Sequence, residues 1–597
     1  MKIAHKLSKN LFEKEFYQNE TAFNVGFLTA NRKGDFASFF NQNSSRYQGL
    51  FFRNFGKIYK IIENISLVEE GKIVELKNEF WRHIRTSKTS KGIAKESFFL
   101  PEKNRGLVYE LSNSQKFNLF LDFKPIYGNS EAERNYKIEK DKQGIIVIEC
   151  FNQKDRVFLA IKLNSSSFSI KNEWVRRNYE LDKKRNSIPF ERNVFWALEI
   201  VASKMAVGIG DTKKQALNEA NYIFDKTYAL KKEKRRNIKS FVDLLEIKSP
   251  ETSMAYLSSQ NALRELVFEE HGQKQICAGL PWFFDFWTRD AFVSIKALLN
   301  KDEDAFWKIC HYGFNLIGEN GFLTNKTNTS NQQNADAVGW LFKRAGEAIE
   351  NKKINEMTVW KVKKYLKKAL EDLLKYSNKT ELATAIGNGT WMDSIDRTGE
   401  RIELQALRLY MLKLAYTLTN DSSYRILEAS LKFKVKERFW SGEILFDSPT
   451  DQTIRPNIFL VAYVYPELLE EKEWQICFDN VLDALWLPWG GIATIDKRSP
   501  YFHEHHTGEL SQSYHSGDSW FYLNNLTAIV LKRNNPERYK AYIEKIIEAS
   551  SREILLMGAI GCHAELSSAS HLSSEGCWSQ AWSAALFVEL VQEICKK

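Results

Sequence analysis

Four stretches in the second half of the chain set aromatic rings beside carboxylates. Residues 278–290 hold Trp282, Phe283, Trp287, Arg289 and Asp290, and residues 334–340 hold Asp336 and Trp340. Residues 388–394 hold Trp391 and Asp393 and are followed by Glu403 within residues 399–407. Residues 561–565 end on Glu565, and Trp578, Gln580 and Trp582 follow within residues 576–583. Ring faces stack on sugar rings while carboxylates and guanidinium groups hydrogen-bond hydroxyls, so this mixture suits a polyol ligand. Hydrolysing a glycoside needs a proton for the leaving oxygen and an activated water or nucleophile at the anomeric carbon, which two carboxyl groups supply. Trp391 and Met392 precede Asp393 with apolar surface that would raise its pKa by desolvation.

Each of these residues also has a plainer reading. Asp393 reads as a helix N-cap and Glu565 as a solvent-facing loop glutamate. Arg289 and Asp290 read as an ion pair at a helix start, Asp336 as a cap, Trp340 as a core aromatic, and Glu403 as a charge complementing a helix dipole. His503, Glu504, His505 and His506 are close together, but no partner cluster with His-x-x-x-His spacing accompanies them, so a polar loop is expected and no metal.

The elements that carry these residues change period along the chain. Phe117, Leu119, Leu121 and Phe123 alternate with Asn118, Asp122 and Lys124, and Val157, Leu159, Ile161 and Leu163 repeat the pattern. Such strands recur through residues 195–203, which predicts an N-terminal antiparallel β-sandwich over residues 1–212. Residues 213–248 are polar, basic and helix-prone and are expected to be a helical linker. Ser249-Pro250-Glu251 then makes a helix start, with Ser as cap and Pro in the first turn. Over residues 249–597 the period becomes helical: Val359, Val362, Leu366, Leu370 and Leu373 share one face, and Leu404, Leu407, Met411, Leu414 and Leu418 share another. The loops between are rich in Gly, Asn, Trp and acidic residues, and loops on a rigid scaffold are where function sits.

A chain of 597 residues exceeds one ordinary core, so two domains are expected. Its apolar content of 43% and charged content of 27% sustain globular cores with an ordinary surface. The net charge of +10 is dispersed, and its densest run, Lys231, Lys232, Lys234, Arg235 and Arg236, reads as a solvated linker or helix end rather than a nucleic-acid site. Seven scattered cysteines without C-x-x-C spacing point to buried reduced thiols. With neither an apolar signal core at Met1 nor about 18 consecutive apolar residues anywhere, a cytoplasmic protein without membrane contact is expected.

In this order the four stretches resemble the amylo-α-1,6-glucosidase region of glycogen debranching enzymes, in the stand-alone archaeal and bacterial form. Gly26-Phe27-Leu28-Thr29-Ala30-Asn31, Gly34-Asp35-Phe36-Ala37-Ser38 and Ser45-Arg46-Tyr47-Gln48-Gly49-Leu50 are similar to the signature of that family's N-terminal β domain, so the resemblance spans nearly the whole chain. It implies an (α/α) toroid of six hairpins with the site at its loop-rich end, no cofactor, and removal of α-1,6-linked glucose from a glycogen-like glucan with inversion. It assigns Asp393 as general acid and Glu565 as general base, about 6.5–9.5 Å apart as inversion requires. Its implied substrate contacts are Trp287, Arg289, Asp290, Asp336, Trp391, Glu403, Arg455, His515 and Trp520.

Ile458 stands where the family usually has Gln, Ser516-Gly517-Asp518-Ser519-Trp520 where Gln-Gly-Thr-Val-Trp is typical, and Gln48 where His is usual. These departures spare both carboxylates and leave linkage and subsite preference open. A glucoamylase-like or trehalase-like inverting α-glucosidase on the same toroid is one alternative, and a non-catalytic glucan-binding protein another. No stretch is left for the transferase domain of the family's large eukaryotic members, so long branches would be accepted directly or trimmed by a separate enzyme. Oligomeric state is not legible.

Overall fold

The computed structural model describes every residue except 8–13, 20–23, 43, 55, 70, 153, 166, 327–332, 352–353, 376–381 and 597. Two compact units emerge: Met1–Glu270 with Ile554–Cys562, and His271–Glu553 with His563–Lys597.

Among the described residues, the first unit is built on one branched sheet of fifteen strands. They are β1 (Lys2–Leu7), β2 (Lys14–Asn19), β3 (Gly26–Ala30), β4 (Phe36–Phe40), β5 (Gly49–Asn54), β6 (Lys57–Leu67), β7 (Lys72–Asn78) and β8 (His83–Thr89). β9 (Gly92–Phe99), β10 (Gly106–Pro125), β11 (Asn135–Lys140), β12 (Ile146–Phe151), β13 (Arg156–Leu163), β14 (Ser167–Asn178) and β15 (Glu191–Gly210) complete it. β10 and β15 are long enough to serve two layers. β10 pairs with β9 through its first residues and with β6 through its last, while β15 pairs with β14 and then with β13. Their mutual register slips between Glu110 and Gln115. A bulge bends and twists its strand, which lets these two strands turn from one layer into the other. Rings fill the interior: Phe27 on β3 and Phe39 on β4 meet Phe98 on β9 at centroid distances of 5.0 and 4.9 Å. The alternation at Phe117, Leu119, Leu121 and Phe123 buries all four side chains. One pairing departs from the antiparallel expectation, because Lys2 to His5 run parallel to Glu75 to Asn78.

After the short α1 (Glu180–Lys184), α2 (Lys213–Phe241) opens on a Thr212–Gln215 capping box and packs on β10, β13 and β15. Residues 213–248, read from sequence as a linker, thus supply a helix packed on the sheet. Its buried stripe of Ala216, Ala220, Ile223, Thr227 and Leu230 is small and surrounded by lysines, which hides it from a composition reading. Lys234 lies within that stripe, fully buried and 3.1 Å from Glu265. α3 (Pro250–Leu266) begins as the sequence dictates, with Ser249 accepting from the Thr252 amide at 3.1 Å. It belongs to the first unit, whose long N-terminal stretch runs through Glu270.

The second unit alternates two kinds of helix. α4 (Thr288–Ser294), α6 (Ala337–Asn351), α8 (Ile402–Thr419), α10 (Asn457–Val464), α12 (Phe521–Asn534) and α14 (Ala581–Cys595) are buried on most or all sides. Each packs on the next, and α14 returns to α4, so they close a ring. Between them in sequence come α5 (Glu303–Asn315), α7 (Glu356–Lys375), α9 (Ser422–Phe439), α11 (Glu471–Leu485) and α13 (Lys540–Leu556). α7, α9 and α11 each bury a single face, as expected of an outer layer. Close approach within the ring needs Gly339 on α6, where any Cβ would come within 2.5 Å of the Leu407 Cβ on α8. Among the described residues, no helix is long and apolar enough to cross a membrane.

At the C-terminal ends of the inner helices a buried charge network closes the ring. Arg344 bonds Glu347 at 2.8 Å, the Tyr463 hydroxyl at 2.7 Å and the Val293 carbonyl at 2.9 Å. Lys296 bonds Glu589 at 2.6 Å, and the Tyr463 hydroxyl donates to the same carboxylate at 2.6 Å. Removing one partner of such a set strands the other charges in a dry interior. Arg344→Met is therefore expected to destabilise the second unit by about 3–5 kcal/mol, read as an earlier transition in urea unfolding. An unchanged midpoint would contradict the account.

Candidate active site

The opposite, N-terminal ends of the inner helices converge on a small cavity. Arg289, Asp336, Trp391, Glu403, Tyr522 and Trp582 line it, and Val293, Leu407, Leu460 and Val464, further along the same helices, give it an apolar base. Arg289 sits in the first turn of α4. Its Nε lies 2.8 and 2.9 Å from the two oxygens of Asp336, its Nη2 donates to the Asn334 side chain at 3.3 Å, and its Nη1 is 3.6 Å from Asp393 Oδ2. The cation thus turns to Asp336 and Asp393 rather than to its sequence neighbour, and the side chain of Asp336 serves Arg289. Asp290 accepts instead from Gln580 at 3.3 Å. Burial pushes Asp290 up to about 7, against the pull of Arg289 and with added repulsion from Asp393 and Glu565.

Asp393 lies in a turn, and the next helix starts only at Ile402, so it caps no helix. The turn is pinned from both sides. His515 Nδ1 accepts from the Ser394 amide at 3.3 Å and lies 2.7 Å from its hydroxyl, while Trp391 Nε1 donates to Asn457 at 2.6 Å. The Asp393 side chain keeps 33% of its surface in reach of solvent. Burial by the surrounding protein nonetheless raises its pKa to about 6, with Arg289 opposing and Asp336 adding to the rise.

Glu565 is 2% exposed, which overturns its reading as a solvent-facing loop residue. It accepts from the Tyr514 hydroxyl and from the Cys577 amide, the latter at 2.9 Å. The residues before it are held by Glu553, which bonds His563 Nδ1 at 2.7 Å and accepts from the Ala564 amide at 3.3 Å. Burial raises Glu565 to about 7; the Tyr514 and Cys577 hydrogen bonds restrain the rise and the charge of Asp393 adds to it.

The remaining candidates divide. Glu403 lines the cavity but its carboxylate is held by Arg397, which also bonds Asp447 at 2.7 Å and Thr390 at 2.8 Å and so ties down the turn bearing Asp393. Arg455 spends its guanidinium on the carbonyls of Thr494 and His515, at 3.1 and 2.9 Å. His515 and Trp520 are buried and stacked at 5.0 Å, with Trp520 Nε1 donating to the Tyr514 carbonyl at 2.8 Å. Arg455, His515 and Trp520 therefore brace the loop that carries Tyr514. Trp287 is half-buried at the start of α4, edge-on to Phe283 at 5.7 Å.

Tyr514, Asn457 and Tyr522 are absent from the residues singled out by sequence, and Trp582 falls within one of the four stretches without being assigned a contact. Tyr522 and Trp582 stand in the first turns of α12 and α14, and recognising those turns as one converging end would have found them. In the polar loop, His506 lies 2.7 Å from Asp518 and His505 lies 3.1 Å from the Ser570 hydroxyl. Among the described residues, no group of three His, Cys, Asp or Glu is arranged to hold a metal ion.

Comparison with known proteins adds two findings. The family described as amylo-alpha-1,6-glucosidase matches residues 251–589, more than half of the chain. A solved structure of a bacterial glucoamylase complexed with acarbose is similar in fold, with a TM-score of 0.62 at 13% identity over 96% of this chain and 95% of that one. No curated protein matches. The fold likeness extends across both units and agrees with a large sheet domain followed by an (α/α) toroid, and the family match covers every stretch that lines the cavity: the chain belongs to the amylo-α-1,6-glucosidase family.

Proposed function

We propose that the chain hydrolyses α-1,6-linked glucose at branch points of a glycogen-like glucan with inversion, using Asp393 as general acid and Glu565 as general base. The observation that carries this reading is the pair itself: a half-buried Asp393 and a buried Glu565, raised to about 6 and about 7, with the charge of Asp393 adding to the rise of Glu565. Family membership supports glycoside hydrolysis, and the branch-point preference is the part that rests on proposal.

In this reading a terminal glucose enters toward Arg289 and Asp336, whose paired charges offer donors and acceptors to its hydroxyls. Asp393 gives its proton to the glycosidic oxygen. Glu565 takes a proton from a water that attacks the anomeric carbon from the opposite face, leaving β-glucose. Half-buried Trp282, Phe283 and Trp287 supply faces for the departing glucan; a short ladder between Gly279–Leu280 and Ser579–Gln580 fixes their segment beside Cys577, whose amide holds Glu565. Cys150, Cys310, Cys477 and Cys577 are buried thiols outside any disulfide, which fits a reducing cytoplasm where a glycogen-like store would lie.

Burial raises both members of the pair toward neutrality, so between about pH 6 and 7 they share a proton. The productive arrangement has that proton on Asp393. A glycosidic oxygen accepting from Asp393 and a water donating to Glu565 both favour that placement. The pH profile of kcat/KM is accordingly expected to be bell-shaped with limbs near 6 and 7. Tyr514→Phe removes a hydrogen bond that favours ionised Glu565, so its pKa rises further. Activity is then lost mainly below pH 7 and converges with the parent enzyme at alkaline pH; a uniform loss at all pH would contradict the role given to Tyr514.

The test of function is glucose release from an α-1,6-branched limit dextrin beside maltose, starch and trehalose. Branched dextrin is the expected preferred substrate, with Asp393→Asn and Glu565→Gln each reducing turnover by about 10²–10⁴-fold while dextrin still binds. Preference for an unbranched substrate would move the reading to a glucoamylase-like or trehalase-like enzyme. Parent-level turnover in either variant would remove that residue from the mechanism.

A further inference from the structure

The first unit carries a polar groove unconnected with the carboxylate pair. β8, β9, β10 and β15 lie side by side, and Ile84, Ser97, Glu110 and Lys204 stand opposite one another across them in a single row. The two-residue period of a strand adds Arg82, Lys95 and Ser112 to the same face. Just beyond Glu110 the pairing of β10 with β15 lapses and resumes only at Gln115, which opens the sheet there. The resulting groove has a volume of about 490 Å³, within the range of small-ligand sites.

Its chemistry is unbalanced in two ways. Ser97, 8% exposed as a residue, lines the groove, and its buried hydroxyl has no hydrogen-bond partner among the described residues, a costly state for a buried donor. Cations also outnumber carboxylates. The basic run read from sequence as a solvated stretch delivers Lys231 to Glu110 and stacks Arg235 on Trp81 at 3.8 Å, where Arg82 stacks as well at 4.4 Å. Glu110 is thereby neutralised, leaving Lys95 and Lys204 as surplus charge along the groove. Burial, and after it the neighbouring cations, hold Lys204, Lys231 and Arg235 below their usual pKa. A bound anion would relieve both imbalances, accepting from Ser97 and answering the surplus charge.

We propose that this groove binds a phosphorylated sugar, with the phosphate held by Lys95, Lys204 and the Ser97 hydroxyl and the sugar hydroxyls met by Ser112, Asn164 and Ser203. Among the described residues no aromatic side chain lines the groove, so it lacks the stacking face that a glucan chain uses. A small charged sugar fits where a polymer does not.

The test is calorimetric titration of the full chain with glucose 6-phosphate, inorganic phosphate and glucose at matched ionic strength. Measurements are made on the parent protein and on Lys95→Met and Ser97→Val. Lys95 is exposed on its strand, so its replacement leaves folding intact. Glucose 6-phosphate is expected to bind, phosphate to bind at least tenfold more weakly, and each variant to lose at least tenfold in affinity for the sugar phosphate while hydrolysing dextrin at the parent rate. Absence of sugar-phosphate binding, undiminished binding in both variants, or equal affinity for free phosphate would overturn the proposal. None of these outcomes bears on the carboxylate pair.

Discussion

The guanidinium of Arg289 is shared by three carboxylates. It pairs with both oxygens of Asp336, stands 3.6 Å from Asp393, and adjoins Asp290 in sequence and in field. One positive charge in a buried space cannot keep three negative ones ionised. Asp336, with the close contacts, holds the cation; Asp290 and Asp393 are left with burial as their dominant influence and rise toward neutrality. That unequal division produces a carboxylic acid able to give up a proton near pH 6 or 7 without a hydrophobic pocket dedicated to the purpose.

The ring of inner helices makes this division possible. Helices buried on most sides bring their N-terminal turns together, where backbone amides are unsatisfied and the dipoles favour negative charge. Arg289, Glu403, Tyr522 and Trp582 occupy those turns, and the turns bearing Asp393 and Glu565 are locked to their surroundings by Arg397, His515 and Glu553. The charge network at the C-terminal ends, around Arg344 and Glu589, closes the other side of the ring with opposite charges kept in contact. Polar groups are buried at both ends, fully paired at one and held short of pairing at the other, and the proposed chemistry uses the second.

Much of this was legible in the sequence because it depends on local pattern. Alternation at Phe117 to Phe123, the Ser249-Pro250 helix start and the helical spacing of Leu404 to Leu414 each encode their element within a few residues. The aromatic and carboxylate stretches likewise supply most of the lining of one cavity. What the sequence hid was partnership across long separations. Nothing local tells Arg289 to choose Asp336 over Asp290, or Glu403 to be occupied by Arg397. The division of β10 and β15 between two layers depends on a bulge that no residue type announces. The helical stripe of α2 escaped because small residues under a coat of lysine look like a linker.

The central claim is that Asp393 and Glu565 act from opposite faces of one sugar ring, with water between Glu565 and the anomeric carbon. The most direct measurement follows the configuration of the first glucose released from a branched dextrin by proton NMR, before mutarotation blurs it. The account predicts β-glucose at the earliest times, drifting later toward the equilibrium mixture. Early α-glucose would mean retention through a covalent intermediate and would contradict the assignment of Glu565 as a base.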